Sequence, residues 1–267
     1  MFDAKQFRAA TFVRHVEVHD KLGSTNDRTA KLARRTDIEL PALVVARLQT
    51  AGKGRGRNTW WSAEGALTFS VLIDTATTGV LPANWPQLSL TTAVAVCDAI
   101  ADELPTPFQG GGKAGSVGIK WPNDVMLDGR KMCGILIESP GGSPPAKDRL
   151  IIGVGINVNN SWRGAPQDAG FNGTALCDFT GRRHDLQNVV VSVLAALSKR
   201  IDQLRAHDAD LVQTWQRLDW LSGQQISVES DGQGVTGACR EIASNGALVV
   251  DTAFGQQRLY SGSVRVA

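Results

Sequence analysis

Lys120-Trp121-Pro122-Asn123-Asp124, followed closely by Lys131-Met132-Cys133-Gly134-Ile135-Leu136, is the stretch on which the reading of this chain turns. It sets a lysine beside a Trp-Pro pair and an Asn-Asp pair, then returns to an apolar, strand-like run. The proline restricts Trp121 to extended backbone, which fixes how Lys120 and Asn123-Asp124 are presented. A lysine held by a strand is a compact point charge against a carboxylate or phosphate; at a strand edge the same side chain simply snorkels to water. Asp124 is a candidate ligand for a metal bridged to phosphates, or a turn cap with Asn123. Lys131 follows the Asp128-Gly129 turn signal and, taken alone, reads as a surface charge beside a hairpin.

Upstream, Gln49-Thr50-Ala51-Gly52-Lys53-Gly54-Arg55-Gly56-Arg57-Asn58-Thr59-Trp60 alternates glycine with cations and closes on tryptophan. Gly52, Gly54 and Gly56 let the backbone approach a ligand closely, and their N–H groups can cradle anionic oxygens. Lys53 and Arg55 add positive charge, and arginine grips a phosphate or carboxylate at two points. The spacing is neither that of a Walker loop nor that of a dinucleotide fingerprint. In isolation the run reads first as a solvated hairpin with basic decoration. Together the two stretches point to a site that holds an anionic, phosphate-bearing intermediate under a mobile basic loop.

Working outward, Ser24 with Asp27 three residues on has the spacing of a capping box, so a helix is expected to start at Gly23-Ser24-Thr25-Asn26. Leu43–Leu48 and Ala66–Ile73 read as strands joined by the glycine-cation loop. Leu88, Ala93, Val94, Cys97, Ile100 and Leu104 form a helical stripe. Gly110–Gly118 reads as a flexible approach to the Lys120 strand. Met132–Glu138 and Leu150–Val158 read as strands of a hairpin closed by Pro140–Pro145. Gly153 and Gly155, ahead of Asn157, mark either a bulge or the close approach of a ligand or another backbone. Leu186 to Leu204 predicts a long amphipathic helix, and Leu211, Trp215 and Leu218 continue helical spacing to about Trp220. Beyond Gly223 short strands alternate with turns such as Asp231-Gly232 and Asn245-Gly246, an all-β module of roughly 45 residues, too small to stand alone and expected to dock. The expected domains are therefore 1–220 and 221–267.

The 267 residues carry 42% hydrophobic and 20% charged side chains with a net charge of +2, which suits a globular chain and not a broad basic face for nucleic acid. Cys97, Cys133, Cys177 and Cys239 are far apart, with no Cys-x-x-Cys pair and no histidine at ligand spacing, so structural zinc and thioredoxin-like chemistry are disfavoured. The histidines sit near no candidate nucleophile, which disfavours a triad hydrolase. With four cysteines in a chain this long disulfides are not needed for stability, so a reduced cytoplasmic setting is expected; Met1–Val18 lacks the apolar centre of a signal peptide, and no run approaches a membrane span.

In the order Ser24-Thr25-Asn26, Gln49 to Trp60, Lys120 to Asp124, Lys131 to Leu136, Gly153 to Asn157 and a small β tail, the chain resembles the biotin protein ligases over nearly its whole length. The resemblance implies an α+β fold: a mixed sheet with packed helices, like class II synthetases, plus a small C-terminal SH3-like β-barrel. It implies ATP-dependent activation of biotin as biotinyl-AMP, with ATP and biotin as substrates and Mg²⁺ assisting. Transfer then follows to a lysine of a biotin carboxyl carrier protein. By family position Lys120 and Arg55 are catalytic. Ser24, Thr25, Asn26, Gln49, Gly52, Lys53, Gly54, Arg55, Lys120 and Gly134 meet biotin, while Arg55, Trp60, Asn123, Lys131 and Asn157 meet the nucleotide.

The loop departs from the arginine-rich form of many bacterial members, with Gly56 and Asn58 where they carry arginine, which leaves Arg57 without an assigned role. Only 23 residues precede Ser24, too few for the helix-turn-helix domain of members that repress transcription, so no DNA binding is expected. Relatives include monomers and homodimers. A lipoate or octanoyl transfer enzyme is the alternative within the fold, and a biotin-responsive binding module is the alternative outside catalysis.

Overall fold

The computed structural model describes residues 2–104, 116–166, 172–230 and 232–267. In chain order its elements are α1 (Ala4–Ala10), β1 (His15–His19), α2 (Thr25–Leu32), β2 (Ala42–Ala46), β3 (Ala66–Asp74), one-turn α3 (Thr75–Thr78), α4 (Trp85–Ala101), β4 (Val117–Lys120), β5 (Asp124–Leu127), β6 (Arg130–Glu138), β7 (Arg149–Asn157), α5 (Leu176–Thr180), α6 (Leu186–Arg205) and α7 (Ala209–Leu218). Five strands follow: β8 (Gln225–Ser230), β9 (Gln233–Ile242), β10 (Leu248–Thr252), β11 (Gly255–Leu259) and β12 (Ser263–Val266). The expected strands and helices are present, with shifted ends: β2 stops at Ala46 and α4 at Ala101, short of Leu104. The proposed glycine-rich approach at Gly110–Gly118 falls largely, and Asp231 entirely, outside the described residues.

The larger sheet runs β1-β2-β3-β7-β6-β5-β4, with β1 parallel to β2 and the remaining pairs antiparallel. A parallel pair needs a crossover, and α2 supplies it between β1 and β2. Period-two alternation then assigns the faces. Leu67, Phe69, Val71 and Ile73 of β3, with Leu150, Ile152, Val154 and Ile156 of β7, point into the main core beneath α4, α6 and α7. Each such side chain, fully buried, contributes ~1.5–3 kcal/mol. Of the intervening positions, which face away from that layer, Leu72 and Ile151 pack with Leu32 of α2 in a second small cluster, while Thr68 and Ser70 on β3 and Gly153, Gly155 and Asn157 on β7 are polar or lack a side chain. The second face is thus apolar beneath α2 and polar or bare on the strip that runs beside it.

The helical spacing expected to run on to Trp220 is broken instead: α6 ends at Arg205, His207 takes φ +52°, and Asp208 caps α7 by accepting from Asp210 N–H at 2.9 Å. The break lets α7 turn its apolar stripe of Leu211, Trp215 and Leu218 into the same core.

The C-terminal strands form an antiparallel sheet ordered β11-β10-β9-β8-β12. The expected barrel is corrected: this sheet is open, with β11 and β12 at opposite edges. β11 carries Gln256, Gln257 and Arg258, all exposed, so it has no apolar face whose burial would drive closure. Docking on the main domain is extensive. Ile226, Val228, Ile242, Leu248 and Val250 join the core of the larger sheet, Trp121 Nε1 donates to Gly246 O at 3.0 Å, and Gln87 Nε2 donates to Ser244 O at 2.9 Å. Gly246 has φ +82°, a conformation that the Asn245-Gly246 turn signal anticipates.

Where the chain leaves α7, Trp220 N donates to Ile119 O at 3.0 Å, one residue before Lys120. The neighbouring Asp219 is buried, and loss of hydration raises its carboxyl from 3.8 to about 6, opposed by the amides of Leu221 and Ser222 and by the Cys239 thiol. A carboxyl raised in the folded state keeps its proton there while the unfolded chain has lost it, so stability falls as pH climbs from about 4 to about 6. The full penalty, ~3 kcal/mol, persists above that window. Asp219→Asn is therefore expected to gain stability relative to the parent at pH 7.5 and to lose most of that gain at pH 4.5, as read by urea unfolding. A difference that does not change with pH would refute the assignment.

Candidate active site

The strand register places the motifs in one row. Lys120 pairs with Asp124, Asp124 with Gly134, Gly134 with Gly155, Gly155 with Thr68 and Thr68 with Ala46. The next row joins Leu136, Gly153, Ser70 and Val44. Gly134, Gly153 and Gly155 leave a bare floor onto which other residues descend. A Cβ at Gly155 would lie 2.5 Å from Trp60 Cε2, one at Gly134 3.1 Å from Trp60 Cζ3, and one at Gly153 2.1 Å from Asn26 Oδ1. Close approach by an indole and an amide, and not a bulge, accounts for these glycines.

The N-terminus of α2 stands over this floor. Ser24 caps it, its side chain accepting from Asp27 N at 3.4 Å; the Asp27 carboxylate completes no reciprocal box and pairs instead with Lys53. Thr25 N donates to Gln49 Oε1 at 2.7 Å, and Thr25 Oγ1 lies 3.1 Å from the same oxygen. Asn26 Nδ2 donates to Glu138 Oε2 at 2.7 Å, and Ser70 Oγ lies 2.6 Å from Asn26 Oδ1. Ser24, Thr25, Asn26 and Gln49 are all buried.

The glycine-cation loop is a small hairpin: Trp60 N donates to Gly52 O at 2.9 Å and Gly54 N to Asn58 O at 2.8 Å, with Gly56 at φ +62° in the turn. It is more than a decorated surface hairpin. Its Lys53 ties the loop to α2 through Asp27, and its Arg55 donates from Nη1 to Asn123 Oδ1 at 3.3 Å and to Gly262 O at 3.1 Å. Arg55 thereby joins the loop, the Asn123 turn and the C-terminal sheet. Burial pushes its guanidinium below the usual arginine value, with Asp124 opposing. Arg57 is exposed.

Lys131 is not the surface charge its sequence position suggests. It is half-buried, its Nζ lies 2.7 Å from Asp124 Oδ1 and 5.9 Å from the centre of the Trp60 ring, and its backbone pairs with Asn172 and Thr174. Lys120 is also half-buried, and desolvation holds its ammonium below the usual lysine value; Asp124 opposes this and Lys131 adds to it. Asn123 is pinned by Nδ2 donating to Ile135 O at 2.7 Å. Asn157 is fully buried, with Oδ1 accepting from Asn160 Nδ2 at 2.9 Å, while its Nδ2 has no hydrogen-bond partner among the described residues. Arg55, Lys120 and Lys131 lie around the Asp124 carboxylate, an excess of positive charge in partly dry surroundings that favours an anionic ligand.

The structure thus brings the expected residues together around one bare strip of sheet. Sequence reading missed Ser70 and Glu138, which complete the hydrogen bonding of Thr25 and Asn26. Ser70 carried a usable signal, since Thr68 and Ser70 interrupt an apolar strand at alternate positions. Glu138, at the end of β6, carried none.

Comparison with known proteins identifies the family of the chain. The model of the Biotin/lipoate A/B protein ligase family matches residues 19–157, and that of the Biotin protein ligase C terminal domain matches residues 221–266. The biotin--[acetyl-CoA-carboxylase] ligase of Mycobacterium tuberculosis is 32% identical over 241 residues, 89% of this chain and 84% of that protein. The bifunctional ligase/repressor BirA of Bacillus subtilis is 30% identical over 94% of this chain and 74% of its own length. The structure of the Aquifex aeolicus biotin protein ligase in complex with biotin and ATP superposes with a TM-score of 0.79 at 26% identity, covering 95% of this chain and all of that one. With more than half of its length matched by the family model and its motifs gathered on one face of the sheet, the chain belongs to the biotin/lipoate A/B protein ligase family.

Proposed function

We propose that the protein is an ATP-dependent biotin ligase, and that the strip between Ser70 and Lys120 holds biotin and ATP. The observation that carries this is the convergence of Arg55, Lys120 and Lys131 beside a buried hydrogen-bonding pocket of Ser24, Thr25, Asn26 and Gln49. Biotin offers both features to such a site, a neutral ureido ring and a carboxylate. In the first step a carboxylate oxygen of biotin attacks the α-phosphorus of ATP, the bond to the bridging oxygen breaks, and pyrophosphate leaves. Two anions must meet for this, and Lys120 and Arg55 screen the repulsion and the charge that builds on the phosphorus. In the second step a lysine amine of the acceptor attacks the carbonyl of the mixed anhydride, and AMP leaves with the bonding electrons. Ser24, Thr25, Asn26, Gln49, Gly52, Lys53, Gly54 and Gly134 form the biotin side of this site, and Trp60, Asn123, Lys131 and Asn157 the nucleotide side.

Among the described residues no group of three or more His, Cys, Asp or Glu side chains could hold a metal ion. Mg²⁺ brought by the nucleotide would have Asp124, which is paired with Lys131 at 2.7 Å, as its candidate protein carboxylate, and would supply further charge neutralisation. Residues 1–220 carry the chemistry in this reading, and residues 221–267 brace the loop through Gly262. The acceptor is a carrier domain of a biotin-dependent carboxylase, and no DNA-binding role is assigned. The four cysteines are free thiols, which suits a reducing cytoplasmic setting. No helix among the described residues is long and apolar enough to cross a membrane.

The reading is tested by mixing protein, biotin, Mg²⁺ and ATP and following pyrophosphate. Biotin-dependent release supports it; release with lipoate but not biotin moves the protein to the lipoate branch. Arg55→Gly is expected to raise the rate at which biotinyl-AMP escapes by about tenfold or more, because the loop loses both Asn123 and Gly262 as anchors. Rapid filtration of the preformed complex reads that rate, and an unchanged value would remove the bracing role.

A further inference from the structure

We propose that Glu138 is a positioning residue that sets the direction of the hydrogen bonds lining the biotin pocket, acting through Asn26 and Ser70; this rests on the biotin-ligase reading above. A carboxylate oxygen accepts and cannot donate. Glu138 Oε2, at 2.7 Å, therefore requires the amide nitrogen of Asn26 to face it, and the Asn26 carbonyl oxygen then faces Ser70. An amide oxygen can only accept, so the single hydroxyl proton of Ser70 goes to Asn26 across 2.6 Å. The 2.8 Å contact between Ser70 Oγ and Thr25 Oγ1 is then a hydrogen bond only when Thr25 donates. Gln49 Oε1 is still held, at 2.7 Å, by the Thr25 backbone N–H.

The Asn26 amide nitrogen also donates to Leu136 O, but at 3.4 Å; without Glu138 only this long contact holds the orientation, so the Asn26 amide flips more readily, Ser70 can turn its proton to Thr25, and the pocket presents a mixture of donor and acceptor patterns. A neutral ureido ring, which has a carbonyl acceptor and N–H donors in fixed places, binds one pattern and not its inverse. Packing holds the chain of bonds in place as well: a Cβ at Gly153 would meet Asn26 Oδ1, so the amide sits tightly against the strand floor. Neither Glu138 nor Ser70 touches the reacting carboxylate in this scheme, so their loss acts on binding and not on the chemical step.

The test measures biotin-dependent pyrophosphate release by the parent, Glu138→Ala, Glu138→Gln, Ser70→Ala and the double alanine variant. Glu138→Ala is expected to raise the KM for biotin by about tenfold or more with kcat little changed. Glu138→Gln can turn its amide oxygen to Asn26 and is expected to recover most of the affinity. The double alanine variant is expected to lose much less than the product of the single losses, because both changes break one chain. A folded Glu138→Ala with unchanged KM, or one equally impaired in kcat, overturns the proposal. If the parent itself shows no biotin-dependent release, the ligase reading is what fails. The Asn26 side-chain amide resonance still decides the network: slow hydrogen exchange lost in Glu138→Ala supports it, and identical exchange in both overturns it.

Discussion

Lys120→Ala is expected to slow adenylate formation by about a hundredfold or more while the protein stays folded. Lys120 ends β4, where Val117 and Ile119 anchor the strand in the core and the alternate position turns Lys120 onto the ligand face. Among the described residues no carboxylate lies within ion-pair distance of its Nζ, and burial makes its ammonium costly to hold. An incoming carboxylate or phosphate relieves that cost, so the residue is poised for an anion and contributes little to the resting fold. Removing it therefore leaves stability nearly unchanged, and the loss appears in the rate of pyrophosphate release in a single turnover. Lys120→Arg keeps the charge but not the compact point geometry, and is expected to recover only part of the rate. Unimpaired single-turnover kinetics in Lys120→Ala would remove Lys120 from the reaction.

Gly155→Ala is expected to damage both stability and nucleotide use. The new methyl would sit 2.5 Å from Trp60 Cε2 and 2.8 Å from Nε1, and Trp60 is 8% exposed, so the indole cannot swing freely into water. Overpacking of this kind costs ~1–3 kcal/mol. If the ring shifts instead, Lys131 above it and the hairpin that ends at Trp60 shift too, and the KM for ATP is expected to rise by about tenfold. Gly234→Ala is the control, since nothing lies within 4 Å of its Cβ position and its backbone is not left-handed. The reading fails if Gly155→Ala matches that control in both denaturant midpoint and ATP dependence.

Much of this molecule was legible from residue order. Ala66–Ile73 and Leu150–Val158 were readable as strands, and the stripe from Leu186 to Leu204 as a long amphipathic helix. The Ser24 cap, the glycine-cation hairpin and the Lys120 motif marked the site because glycine, cations and paired polar residues in strand context serve no packing purpose. Local signals were less informative where two segments compete. The spacing of Leu211 to Leu218 is helical, but whether that helix continues α6 or turns back depends on the core it must reach. The five C-terminal strands were each visible, whereas closure into a barrel depends on whether the outer strands have an apolar face to bury.

Side-chain partners were decided only in three dimensions. Lys131 looked like a hairpin charge and became half-buried beside Asp124 and Trp60, because the β5–β6 register turned it inward. Glu138 and Asn26 are 112 residues apart and meet because α2 lies across β3 and β7, and β6 is the strand beside β7. Arg55 and Gly262 are 207 residues apart and meet because the C-terminal sheet shares the main core. Periodicity and turn chemistry act between neighbours in the chain, so the sequence alone sufficed for the elements and the family of motifs. The hydrogen-bond directions and charge pairings depend on which strands lie side by side, and only the assembled fold decided them.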